Sequence, residues 1–92
     1  MGKFSLGQVV MTAALAHHLE EKERGEEALL PFLKRHHSGD WGDLTPDDRE
    51  QNEEALRHGD RLLSSYDFEG ETIWIITEHD RSVTTMLFPS DY

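Results

Sequence analysis

Thr72-Ile73-Trp74-Ile75-Ile76-Thr77, then Glu78-His79-Asp80-Arg81-Ser82, then Val83-Thr84-Thr85-Met86-Leu87-Phe88: this succession decides the fold. Both outer runs are β-branched and aromatic, a composition that suits a pleated, half-buried surface. Two such runs around a short polar cluster read as a β-hairpin. The cluster holds four ionisable side chains in five positions. A tight turn needs only one or two special residues, so the excess of charge makes this turn the first candidate for a functional site.

Moving upstream, Arg61 to Phe68 reads as another strand, and Glu69-Gly70-Glu71 as the turn that joins it to the hairpin. Downstream, Pro89 stops the last strand. The helix before the strands has the clearest start signal in the chain. Thr45 is its N-cap, Pro46 takes the first helical position, and Asp47 and Asp48 sit at the positive end of the dipole. Gly59 marks its end, with Arg57 and His58 in the last turn. Ser38-Gly39-Asp40-Trp41-Gly42-Asp43 is a loop whose glycines suggest close packing around a buried indole.

Two earlier helical segments are expected. One runs from Ala13 to Glu23, capped by Thr12 and closed by Gly25. The other covers Glu26 to His37, with Leu29, Leu30 and Leu33 as its apolar face; Pro31 fits only if the helix begins near it. Gln8-Val9-Val10-Met11 is a candidate for a short extra strand at one sheet edge. The expected fold is therefore α+β, with N-terminal helices packed on a C-terminal three-stranded antiparallel meander. Such a meander has one open face, and Tyr66, Ile75 or Leu87 would be buried by a partner if they lie on it.

At 92 residues the chain is read as one domain, 1–92. It has no cysteine, so disulfides and thiolate metal sites are excluded. The start, Met1-Gly2-Lys3-Phe4-Ser5, lacks the apolar core of a secretory signal, and no run approaches a membrane span. The cytoplasm is the expected location. Net charge is −10, from 19 acids against 9 Lys and Arg. Such a surface repels phosphate, which disfavours direct nucleic-acid binding and favours partners with a basic surface. Twelve of the nineteen acids precede Asp60, so the helical half carries most of that charge.

Gly39-Asp40-Trp41-Gly42-Asp43-Leu44, Asn52, Ala55-Leu56, Gly59, Arg61-Leu62, Ser65-Tyr66, Ile73-Trp74-Ile75-Ile76-Thr77-Glu78, Asp80-Arg81-Ser82, Thr84-Thr85, Pro89 and Tyr92 resemble a family of small bacterial proteins of plasmids and other mobile elements. Members carry labels such as plasmid-related protein or restriction-system subunit. The resemblance covers residues 36–92 and implies a genomic setting rather than a reaction. The chain has neither the length nor the Gly-rich cofactor loop that a methyltransferase domain requires.

Six histidines include the doublets His17-His18 and His36-His37. Adjacent rings on a helix point about 100° apart, so a doublet does not chelate one metal easily. A site built from His36, Asp40 and a histidine of another helix is conceivable, but no zinc-motif spacing is present, and no metal or cofactor is expected. Glu78, His79, Asp80 and Arg81 contain an acid, a base and a cation, the parts of a small hydrolase or nuclease, to which His37 would be added. Neighbours on a strand end face opposite ways, which weakens that assembly. Arg81 is also a candidate structural tie to an acid of the third helix. Trp41 and Trp74 are expected in the core.

Three functions follow. The first is an accessory protein of a mobile element that binds a protein, inhibiting a host defence nuclease or another nucleic-acid-binding protein by charge mimicry. Its binding residues would be Asp47, Asp48, Glu50, Glu53 and Glu54 with Trp41 and Arg81, joined on the charged face by Glu20, Glu21, Glu23, Glu26 and Glu27. The second is the small enzyme just described. The third is a regulatory subunit that pairs with a second copy through its sheet.

Overall fold

The structure, a computed structural model, describes residues 2–92; Met1 lies outside them. Strand β1 (Gln8–Met11) leads into helix α1 (Ala13–Glu21). A 3-10 turn, Glu26–Leu29, then runs into α2 (Leu30–His37). Helix α3 (Pro46–His58) precedes β2 (Leu62–Phe68), β3 (Glu71–Thr77) and β4 (Val83–Leu87). The fold is α+β with the helices first, as the patterns imply.

The three late strands form the expected antiparallel meander, with Ile75 opposite Ser64 on β2 and Met86 on β4. The early strand enlarges it. β1 joins the far edge parallel to β4, giving the order β1-β4-β3-β2. Thr12 ends β1 and starts α1: its hydroxyl accepts from the Leu15 N–H and donates to Asp91.

Two helix boundaries differ from the reading. The left-handed residue after α1 is Glu23 (φ 54°), not Gly25. The segment 26–37 is not one α-helix, because Pro31 cannot donate a backbone hydrogen bond; a 3-10 turn precedes it and α2 begins at Leu30, one residue before it.

Strand alternation sorts the side chains. Tyr66, Phe68, Ile73, Ile75 and Met86 meet Leu15 and Leu19 of α1, Leu29, and half-buried Phe32 and Leu33 of α2. Tyr66 and Ile75 are thus covered by the helices rather than lying on an open face. The other face carries Leu63, Trp74, Ile76 and Leu87. Trp74 is half-buried there instead of central, with Tyr92 folded edge-on against it at 5.9 Å and the Arg61 guanidinium over the Tyr92 ring.

α3 closes the β2 edge. The Asn52 side chain both donates to the Leu63 carbonyl and accepts from the Leu63 N–H. Farther along, Ser65 N–H donates to Trp41 and Asp43 N–H donates to Ser65, so the loop acts as a short extra strand. Gly42 is needed there: its φ is 77°, and a Cβ would lie 2.0 Å from the Ser65 carbonyl oxygen. A second core, Trp41, Ala55 and Leu62 with Phe4, Leu44 and Leu56, fills the space beneath α3.

Candidate functional site

The turn Glu78–Ser82 is organised by Arg81, whose backbone is left-handed at φ 61°. Its guanidinium reaches back across the chain. It donates to the carbonyls of Asp60 (2.6 Å), Glu78 (3.1 Å) and Ala55 (3.4 Å), and lies over the Phe4 ring. Ala55 belongs to the last turn of α3, at the negative end of the dipole where a cation is favoured; its carbonyl oxygen also accepts from the Gly59 and Asp60 N–H groups. The tie to α3 is therefore to carbonyl oxygens, not to an acid. Asp80 accepts from the N–H and hydroxyl of Ser82, which hold its carboxyl below the usual range. His37 points elsewhere, with Nε2 2.9 Å from the Phe4 carbonyl oxygen. His37 and Arg81 both lie against Phe4, one at its carbonyl oxygen and the other at its ring, while Asp80 is tied to Ser82; no hydrogen bond joins the three to one another.

The acids of α3 divide into two groups. Glu53 accepts from the buried indole of Trp41 at 2.7 Å, so these two expected binding residues serve the interior. Glu54 pairs with Arg57 and His58, which lower its pKa. Asp47, Asp48 and Glu50 are exposed, and among the described residues no cation lies within 4 Å of them. Asp47, Glu50 and Glu54, at spacings of three and four, form a row along the outer side of the helix. In this thirteen-residue helix only Asn52 and Ala55 are buried. Polar ties hold it in place: Thr45 caps its first turn, Arg49 donates to the carbonyls of Leu44 and Gly42, and Arg81 takes its far end. Of the earlier acids, Glu20, Glu21, Glu23, Glu26 and Glu27 are exposed on and after α1.

Beneath α2 lies an arrangement the sequence reading missed. His36 is fully buried. Ser64 Oγ is 2.5 Å from its Nδ1, and Thr77 Oγ1 is 2.9 Å from its Nε2. Thr77 Oγ1 is 2.7 Å from Thr84 Oγ1, which donates to the Leu6 carbonyl. The terminal acceptor fixes the sense of the whole chain. Thr84 donates to Leu6, so Thr77 donates to Thr84. His36 Nε2–H then donates to Thr77, and Ser64 donates to Nδ1. The sequence of donors thus requires the proton on Nε2, and burial of the ring favours the neutral form, in which Nδ1 accepts from Ser64. Burial, with smaller contributions from His37 and Arg81, pushes the His36 pKa down to about 3. A sequence signal existed: Ser64, Thr77 and Thr84 occupy inward positions on three adjacent strands, and three inward hydroxyls require a polar partner.

The other histidines take separate surroundings. His18 packs edge-on against Phe68 and Phe88, and His17 lies 3.8 Å from Glu21. Asp40, read as a ligand partner of His36, instead pairs with Arg35 at 2.7 Å, which lowers its pKa. Among the described residues no three His, Asp or Glu side chains gather around a point. No helix of the described residues is long and apolar enough to cross a membrane. No family model, curated protein or solved structure matches this chain.

Proposed function

We propose that this chain is an accessory protein of a mobile element that acts in the cytoplasm by binding a protein. Its partner would present a basic groove, such as the one a defence nuclease or other nucleic-acid-binding protein uses for its substrate. The outer row of α3 supports this reading most directly. The helix is fixed by polar ties and leaves Asp47 and Glu50 without cations, on a molecule of net charge −10. Rigid, unneutralised carboxylates on a helix can stand in for phosphates against such a groove.

The test is a pull-down from bacterial lysate with tagged protein at about 50 and about 500 mM salt, read by mass spectrometry. The wild type should hold a nucleic-acid-binding protein at low salt and release it at high salt. Added DNA should compete, and the triple variant D47N/D48N/E50Q should capture none of it. A partner held equally by the triple variant, or no partner at either salt, would refute the reading.

A further inference from the structure

The two edges of the sheet are treated differently. The β2 edge is closed by the Asn52 amide at Leu63 and by the Trp41–Asp43 loop at Ser65. Among the described residues the β1 edge has no such device. Gln8 N–H donates to Ser82 and Thr12 N–H donates to Met86, so the alternate residues Val9 and Met11 turn their N–H and C=O groups away from β4. Edge strands are commonly blunted by charge, proline or a bulge; β1 reads Gln-Val-Val-Met and pairs in unbroken register.

Beside this edge lies an apolar groove of about 310 Å³, lined chiefly by Val9, Met11, Leu29, Leu30 and Leu33, with Glu26 the one charged residue among the described residues that line it. Val9 and Leu30 are among the most exposed large apolar side chains, at 39% and 49%. Leu30 comes from a different element, so edge and groove make one continuous surface.

We propose that this surface receives a second copy of the chain, β1 pairing antiparallel with β1 of its mate. Charge selects that occupant. Phe4 to Ala16 is a run of thirteen residues without an ionisable side chain, in a chain that is 30% charged. A basic peptide would find only Glu26 to meet along the groove, whereas two copies bring neutral strip to neutral strip. The hydrogen bonding is also self-complementary. With a two-fold axis at Val10, Val9 of each copy exchanges both backbone bonds with Met11 of the other. That register puts the Val9 and Met11 side chains on the helix-covered side, where each pair reaches the other copy's groove and covers its Leu30. The result is a continuous eight-stranded sheet. A four-residue strand gives a contact smaller than the roughly 800 Å² per partner of standard interfaces, so the dissociation constant should be about micromolar.

Sedimentation equilibrium from about 5 to about 200 µM protein tests this, at about 50 and about 500 mM salt. The wild type should dimerise, more tightly at high salt because screening relieves repulsion between two acidic molecules. Val9→Pro removes an outward N–H at an edge position where proline is tolerated. Leu30→Glu charges the groove from another element. Each should weaken the dimer at least about tenfold while circular dichroism and melting show a folded monomer. A wild type that stays monomeric at the highest concentration and salt would overturn the proposal. So would a dimer indifferent to both substitutions, or one that weakens with salt. All three proteins retain Asp47, Asp48 and Glu50, so the outcome is independent of the partner reading above.

Discussion

Ser64 donates its hydroxyl hydrogen to Nδ1 of His36 across 2.5 Å in the centre of the molecule. Serine and imidazole at this distance suggest a nucleophile and its base, yet both side chains are fully buried, and the imidazole hands its own N–H to Thr77 rather than to a carboxylate. The pair works as a structural joint that fastens α2 to β2, β3 and β4.

Removing that joint should be costly. His36→Leu leaves Ser64 and Thr77 without their shared partner and is expected to lower unfolding free energy by about 3 kcal/mol. Thr84→Val keeps the shape and removes two links, the one accepted from Thr77 and the one donated to the Leu6 carbonyl, at about 1–2 kcal/mol. Urea denaturation with an unchanged slope would check both values.

His36 also predicts a pH dependence. Its folded pKa of about 3 lies below the ordinary 6.5, so the unfolded chain binds the proton more readily. Stability is therefore complete above pH 6.5 and declines as pH falls from there toward 3, by up to about 1.4 kcal/mol per pH unit from this one proton. Asp40 and Asp80, with pKa values held below 3.8, act in the same direction but only in more acid solution. The segment between pH 6.5 and 5 thus reports His36, and comparison of wild type with His36→Leu should show that part of the slope disappear.

Two glycines with nearly the same dihedral should respond differently to alanine. At Gly59 (φ 75°) nothing lies within 4 Å of an added Cβ, so only the left-handed backbone penalty of about 1 kcal/mol applies. At Gly42 (φ 77°) the Cβ also strikes the Ser65 carbonyl, and the loop must leave the sheet edge. Gly42→Ala should cost at least about 3 kcal/mol; equal thermal shifts for the two variants would contradict this account.

Arg81→Lys tests the helix clamp. Lysine keeps the charge but cannot reproduce a planar fork bonded to carbonyls of Asp60, Glu78 and Ala55. A loss of about 1–2 kcal/mol is expected, with Arg81→Ala only slightly worse. Full recovery by lysine in chemical denaturation would show that charge at the end of α3 is enough.

The elements announced by local chemistry were legible. α3 shows Thr45-Pro46 at its start and Gly59 past its end, and the hairpin alternates around its polar turn. What stayed hidden depends on residues far apart in the chain. Nothing near Gln8–Met11 says that it pairs with Val83–Leu87 or that it does so in parallel. His36 sits in Lys-Arg-His-His, which reads as a solvated helix end, and only the strand hydroxyls beneath it reveal a buried ring. Glu53 looks like its acidic neighbours until Trp41 is seen beside it. Pattern assigned the turn residues to the correct turn, but it could not show that Arg81 would grip main-chain oxygens, since carbonyls carry no sequence signature.

The parallel pairing of β1 with β4 has a consequence for how the chain is made. Strands that pair in parallel need a crossover, and this one takes in nearly all the rest of the molecule, from α1 to β3. On the ribosome Val9 and Met11 emerge 75 residues ahead of Thr84 and Met86, their sheet partners. The meander and α3 can assemble from neighbours in the chain, but β1 must wait, its apolar side uncovered, until translation reaches β4. Closure of the sheet is then a late, long-range event, and nascent chains halted before Val83 should remain sensitive to protease around Gln8–Met11 however well α3 has formed.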